Sequence, residues 1–166
     1  MGPSLETVSK ILWSLRTGSG IKIKDVGGES ILRIEWLNLY NHPDVLGSLG
    51  ELFAHWIVKL GYSPDAIVSM ETSGAKYGGR KVVIVDDIRR TSHTIDSAVE
   101  VIEKCGSSVE SCFVVLDFKF AGHPYPRRIR REVFHSLFEV SSISRTGECE
   151  VNAGLAVRYL ELLRAG

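Results

Sequence analysis

Three apolar runs without polar alternation dictate most of what this chain can become: AIVSM at residues 66–70, VVIV at 82–85 and SCFVVLDF at 111–118. A strand that is apolar on both sides must be covered on both sides, a condition met in parallel sheets with helices on each face. Between the second and third runs Ile95, Ala98, Val99 and Ile102 recur at helical spacing, and Gly106 is the stop. The strand–helix–strand order predicts an α/β fold: a mostly parallel, twisted sheet flanked by helices. Residues 1–166 are read as one domain, long enough for a single core.

The flanks supply further elements. Leu5, Val8, Leu12 and Leu15 keep helical spacing and end at Gly18 and Gly20. IKIKDVGGESILRIEW reads as two short strands turning at Gly27-Gly28, a small hood-like element near the N-terminus. Pro43 opens a helix carrying Val45, Leu49, Leu52, Phe53, Trp56, Ile57 and Leu60, stopped by Gly61. EVFHSLFEV fits strand or helix, and NAGLAVRYLELLRAG reads as a closing helix.

Twenty basic residues balance twenty acidic ones, which argues against a protein held to nucleic acid by bulk charge. No apolar run reaches the ~20 residues of a membrane span. The opening MGPSLETVSKILWSLRTGSG lacks the basic-then-apolar order of a signal peptide. Cys105, Cys112 and Cys149 have no metal-ligand spacing and read as reduced thiols. Together these features predict a cytoplasmic protein with no membrane or nucleic-acid partner.

The second apolar run continues as VVIVDDIRRTSHT, residues 82–94. It places Asp86 and Asp87 at the carboxyl end of a buried strand, where open parallel sheets bind ligands. Arg90, Thr91, Ser92, His93 and Thr94 follow, where a helix begins. Backbone N–H groups and the helix dipole favour an anion there, and the hydroxyls add donors. Two carboxylates beside an anion cradle suit a ligand with both a phosphate and sugar hydroxyls. A capped strand end with solvated aspartates uses the same residue types, but the full thirteen-residue order favours a ligand site. Upstream, Gly74 permits close backbone approach and Lys76 brings charge, so Ser73-Gly74 with Lys76 reads as a second anion loop or as a plain turn.

VVIVDDIRRTSHT resembles the phosphoribosyl pyrophosphate motif of type I phosphoribosyltransferases: four aliphatic residues, two acids, variable positions, then Thr-Gly-x-Thr. AIVSMETSGAKYG is similar to the strand and pyrophosphate loop of the same enzymes, and GESILRIEWLNLYNHPDVLGSLGELFA to their orotate branch. The resemblance implies Asp86 and Asp87 on the ribose hydroxyls and Thr91, Ser92, His93 and Thr94 around the 5′-phosphate, with Arg90 beside them. It places Thr72, Ser73, Gly74, Ala75 and Lys76 on the pyrophosphate. It also implies phosphoribosyl pyrophosphate and a nucleobase (orotate or a purine) as substrates, and a homodimer acting in nucleotide metabolism. Mg²⁺ would bridge substrate oxygens without a dedicated set of protein ligands, and no catalytic residue is assigned.

Four departures from the family pattern bear on activity. Ser92 replaces the usual glycine, which requires a backbone that avoids positive φ. Arg90 stands where orotate enzymes place threonine, and Asp117-Phe118 where they place Asp-Arg, removing a natural partner of orotate's carboxylate. Phe118 is either a stacking surface for a base or core. Only ETSGAKYGGR stands between Met70 and Lys81, too little for the usual crossover helix and the family's mobile lid. Either the lid is lost or a segment is missing; the expectation is a break near Gly78-Gly79, or else an exposed sheet face covered by a partner subunit. The alternative function is a lid-less sensor that binds phosphoribosyl pyrophosphate or a nucleotide. A third reading, regulation on nucleic acid, rests on Arg127, Arg128, Arg130 and Arg131, which read more simply as a solvated surface.

Overall fold

The computed structural model describes residues 5–18, 21–26, 29–34, 43–70, 78–119, 124–152 and 154–165. In chain order these form α1 (Leu5–Arg16), β1 (Ile21–Val26), β2 (Glu29–Ile34), α2 (Pro43–Lys59), β3 (Ala66–Ser69) and β4 (Lys81–Arg89). They continue with α3 (His93–Lys104), β5 (Ser108–Phe118), β6 (Phe134–Ile143), β7 (Cys149–Asn152) and α4 (Leu155–Ala165). A 3-10 turn, Arg131–Val133, leads into β6.

β1 and β2 make the expected separate hairpin, antiparallel with Val26 opposite Glu29, and its turn residues 27 and 28 lie outside the described residues. The main sheet has five strands in the order β3-β4-β5-β6-β7. The first four are parallel and β7 closes the edge antiparallel to β6. The run that fitted strand or helix is β6. β7 was not foreseen, and it takes Asn152 away from the closing helix.

Each face of the sheet is covered. On one face α1, α2 and α4 bring Val8, Ile11, Leu52, Trp56, Ala156 and Leu160 against Val83, Phe113 and Leu137. On the other, α3 brings Ile95, Val99 and Ile102 against Val82, Ile84, Cys112 and Val114. Alternate β-branched residues of β4 thus serve opposite cores, which is why its apolar run is continuous. α3 stops at Gly106, whose φ of 77° a residue with a Cβ would adopt at a cost. The turn is closed by Gly106 N–H donating to Glu103 O at 2.9 Å and Ser107 N–H to Ile102 O at 3.1 Å.

Near the carboxyl ends of the strands the in–out alternation changes phase. Asp86 pairs with Val114 and Ile88 with Leu116, and the row between them is skipped. The same row is skipped between β5 and β6. Consecutive residues Val115-Leu116 and Leu137-Phe138 all pack into the α1–α2–α4 core, as do Val85 and Ile88. The shift turns Arg89 toward Tyr125 and Phe134, on the α3 side.

β3 and β4 are parallel neighbours although only residues 70–80 join them. Gly78 and Gly79 form a turn before β4, with Gly79 N–H donating to Gly106 O at 3.1 Å, and residues 71–77 lie outside the described residues. Ile67 on β3 is 56% exposed, so this edge of the sheet is incompletely covered by the described elements. No described helix is long and apolar enough to cross a membrane.

Candidate functional site: an anion turn at the head of α3

Asp86 and Asp87 do not end their strand, as the sequence had suggested. β4 runs on through Ile88 to Arg89, so the carboxylates sit within its last turn-ward residues. Asp86 keeps the phase of Val82 and Ile84, whereas Asp87 stands at the row where the alternation shifts, so the two carboxylates have different surroundings. Asp86 is half-buried and Asp87 is exposed. Burial foremost, with the carboxylates of Asp86 and Asp117 adding to it, pushes the Cys112 thiol far above its usual range. Asp86 therefore faces the α3 side of the sheet, while Asp87 is open to solvent.

The chain leaves β4 at Arg90 and enters α3 at His93, making the turn tight. Arg90, Thr91, His93 and Thr94 are exposed, whereas Ser92 is only 6% exposed. Ser92 occupies the N-cap with φ −89° and ψ −5°, so serine fits where the motif usually carries glycine. Its hydroxyl makes no capping bond to the helix. The first N–H groups of a helix have no intrahelical acceptor, and here the residue that would ordinarily satisfy one does not. Those donors, with the helix dipole behind them, suit an anion.

The Ser92 hydroxyl instead donates to the carbonyl oxygen of Pro124, in the β5–β6 connector. Arg89 reaches the same carbonyl through Nη1 at 3.3 Å. Its Nε donates to Asp117 Oδ1 at 2.5 Å, with the two side chains 1% and 0% exposed. The guanidinium also lies 4.9 Å from the Tyr125 ring centroid and 5.8 Å from that of Phe134. Burial pushes the Asp117 carboxyl above its ordinary range, against the opposing hydrogen bond and charge of Arg89. In the sequence nothing sets Arg89 apart from its neighbour Arg90. The pair's only signal was an aspartate at the same register on the next apolar strand.

The structure brings Asp86, Asp87, Arg90, Thr91, Ser92, His93 and Thr94 to one end of the sheet. Thr72, Ser73, Gly74, Ala75 and Lys76 lie outside the described residues. Phe118 is 2% exposed and belongs to the core. The arginine cluster divides: Arg128 pairs with Glu103 at 3.1 Å and Glu100 at 3.4 Å, and Arg131 lies over Tyr125. Among the described residues no group of three His, Cys, Asp or Glu could hold a metal ion.

No family model matches the chain. Over 52 residues, 31% of this chain, it is 38% identical to adenine phosphoribosyltransferase of Corynebacterium diphtheriae, and the match spans 28% of that relative's length. In structure it is similar to adenine phosphoribosyltransferase from Thermoanaerobacter pseudethanolicus, with TM-score 0.59 and 17% identity over 77% of this chain and 99% of that one. It is also similar to orotate phosphoribosyltransferase of Mycobacterium tuberculosis in complex with 5-phospho-α-D-ribosyl 1-diphosphate, with TM-score 0.53 and 14% identity over 68% and 84%. At these identities the structural likeness is one of fold.

Proposed function

We propose, from the type I phosphoribosyltransferase fold of this chain, that it binds phosphoribosyl pyrophosphate at the β4–α3 turn and transfers the phosphoribosyl group to a nucleobase. The observation that carries the proposal is the pairing of Asp86 and Asp87 with an uncapped helix N-terminus at the carboxyl end of β4. Asp87 and Asp86 accept hydrogen bonds from the ribose hydroxyls. The N–H groups and hydroxyls of residues 91–94 hold the 5′-phosphate. Ser92 contributes backbone alone, because its hydroxyl is engaged by Pro124.

Held at both ends, the sugar presents its anomeric carbon to the base nitrogen while pyrophosphate departs. Positive charge develops on the sugar, so the protein's work is orientation and electrostatic support. Exposed Asp87 and half-buried Asp86 are hard oxygen donors, the chemistry that would hold Mg²⁺ beside the substrate. When bound, the ion neutralises charge on the leaving pyrophosphate. Phe118, buried where orotate enzymes carry arginine, favours a purine over orotate as acceptor. A cytoplasmic homodimer is the setting inferred from the same resemblance.

The short β3–β4 connection favours a second reading, a sensor that binds phosphoribosyl pyrophosphate without turnover. Pyrophosphate release, measured with phosphoribosyl pyrophosphate, Mg²⁺ and a panel of purines and orotate, separates the two. Release with a purine supports the enzyme. Binding without release from any base supports the sensor, and absence of binding overturns both.

A further inference from the structure

Arg89 and Ser92 flank the exposed Arg90 and Thr91, and both donate to one acceptor, the carbonyl oxygen of Pro124. The fastening continues along α3. Arg128 N–H donates to Asp96 Oδ1 at 3.0 Å, and its guanidinium pairs with Glu100 and Glu103. Ser92, Asp96, Glu100 and Glu103 fall on one stripe of a helix, since residues three and four apart are neighbours on its surface. The β5–β6 connector is therefore held along α3 from its N-cap to its last turn.

The buried pair at the head of this stripe is an expensive way to fill a core. Removing two charges from water carries a large desolvation cost, and apolar residues of similar volume often serve as well. Here Asp117 Oδ2 has no hydrogen-bond partner among the described residues, so the compensation is incomplete. What the pair provides is direction: Asp117 fixes Nε, which aims Nη1 at Pro124. Ser92 gives up a helix cap for the same carbonyl, leaving the opening N–H groups of α3 to a ligand.

We propose that Arg89 and Ser92 are positioning residues, which latch the connector at Pro124 and thereby set the backbone of residues 90–94 before an anion arrives. The inference rests on the phosphate-binding reading of the turn. Its consequence is reciprocal coupling: a ligand in the turn orders the 124–131 connector, and loosening the connector weakens the ligand. A purely structural pair gives no such coupling.

The test combines calorimetry with hydrogen exchange, using phosphoribosyl pyrophosphate as the probe. The variants are Ser92→Ala, Ser92→Thr and the double substitution Arg89→Met with Asp117→Leu, which keeps the core filled. In the wild-type protein, ligand should slow exchange at residues 124–131 as well as at the turn. Ser92→Ala and the double variant should each weaken binding about tenfold, the scale of one hydrogen bond that organises a charged ligand's site. Both should also lose protection of the connector, and Ser92→Thr should restore it. Unchanged affinity in a double variant of wild-type stability overturns the latch while leaving the phosphate site standing, as does protection confined to the turn. Failure of the wild-type protein to bind overturns the phosphate reading and the latch with it.

Discussion

Arg89 Nε and Asp117 Oδ1 meet at 2.5 Å across neighbouring parallel strands, at a row where the two residues are register partners. Asp117→Leu alone strands a buried guanidinium and should cost about 3–5 kcal/mol of stability. The midpoint of urea unfolding reports it. A loss below about 1 kcal/mol would mean that the ring faces of Tyr125 and Phe134 suffice to hold the charge.

Gly154, just before α4, lies against the backbone of β6 where its alternation changes phase. A Cβ there would stand 2.8 Å from the Leu137 carbonyl carbon and 3.0 Å from Phe138 Cα, and nearer still to the Leu137 oxygen. Backbone on both sides cannot rotate away as a side chain could. Gly154→Ala should therefore destabilise the protein by about 1–3 kcal/mol, measured by thermal unfolding.

Tyr62 Oη and His135 Nε2 form a hydrogen bond of 2.8 Å beside Phe113. Burial, and then the charge of Arg158, hold the His135 pKa below the ordinary histidine range. The unfolded chain thus takes up this proton first as pH falls. The stability contributed by neutral His135 is complete above a pH of about 6.5, and it declines between that value and the depressed folded pKa. Comparing unfolding free energies at about pH 8 and about pH 5, His135→Gln should show a smaller acid-side loss than wild type. Equal losses would assign the pH dependence to other groups.

The elements that carry the fold were legible because burial on both faces leaves an unbroken apolar run, as in Val82–Val85, and burial on one leaves the spacing of Ile95, Val99 and Ile102. The run containing Leu137-Phe138 was ambiguous for a physical reason: both residues face one core, which breaks the two-residue period of a strand. β7 is only four residues long, too short for its alternation of buried Cys149 and Val151 with exposed Glu150 and Asn152 to stand out. Within the site, Asp86, Asp87 and the hydroxyl-rich turn were readable as local chemistry. Arg89 was not, because an arginine after a strand ordinarily reaches solvent. Its burial depends on Asp117 and Pro124, partners far along the chain that only the fold brings near.

The central claim, that the β4–α3 turn and its carboxylates hold phosphoribosyl pyrophosphate, is tested most directly by calorimetric titration of that compound into wild-type protein and Asp87→Asn. Asp87 is exposed, so its replacement leaves the core intact. The amide loses the charge and part of the acceptor capacity that ribose hydroxyls require. Saturable binding by wild type, weakened about tenfold or more in the variant at unchanged melting temperature, is the predicted result. Equal affinity in the two proteins, or no binding by either, would contradict it.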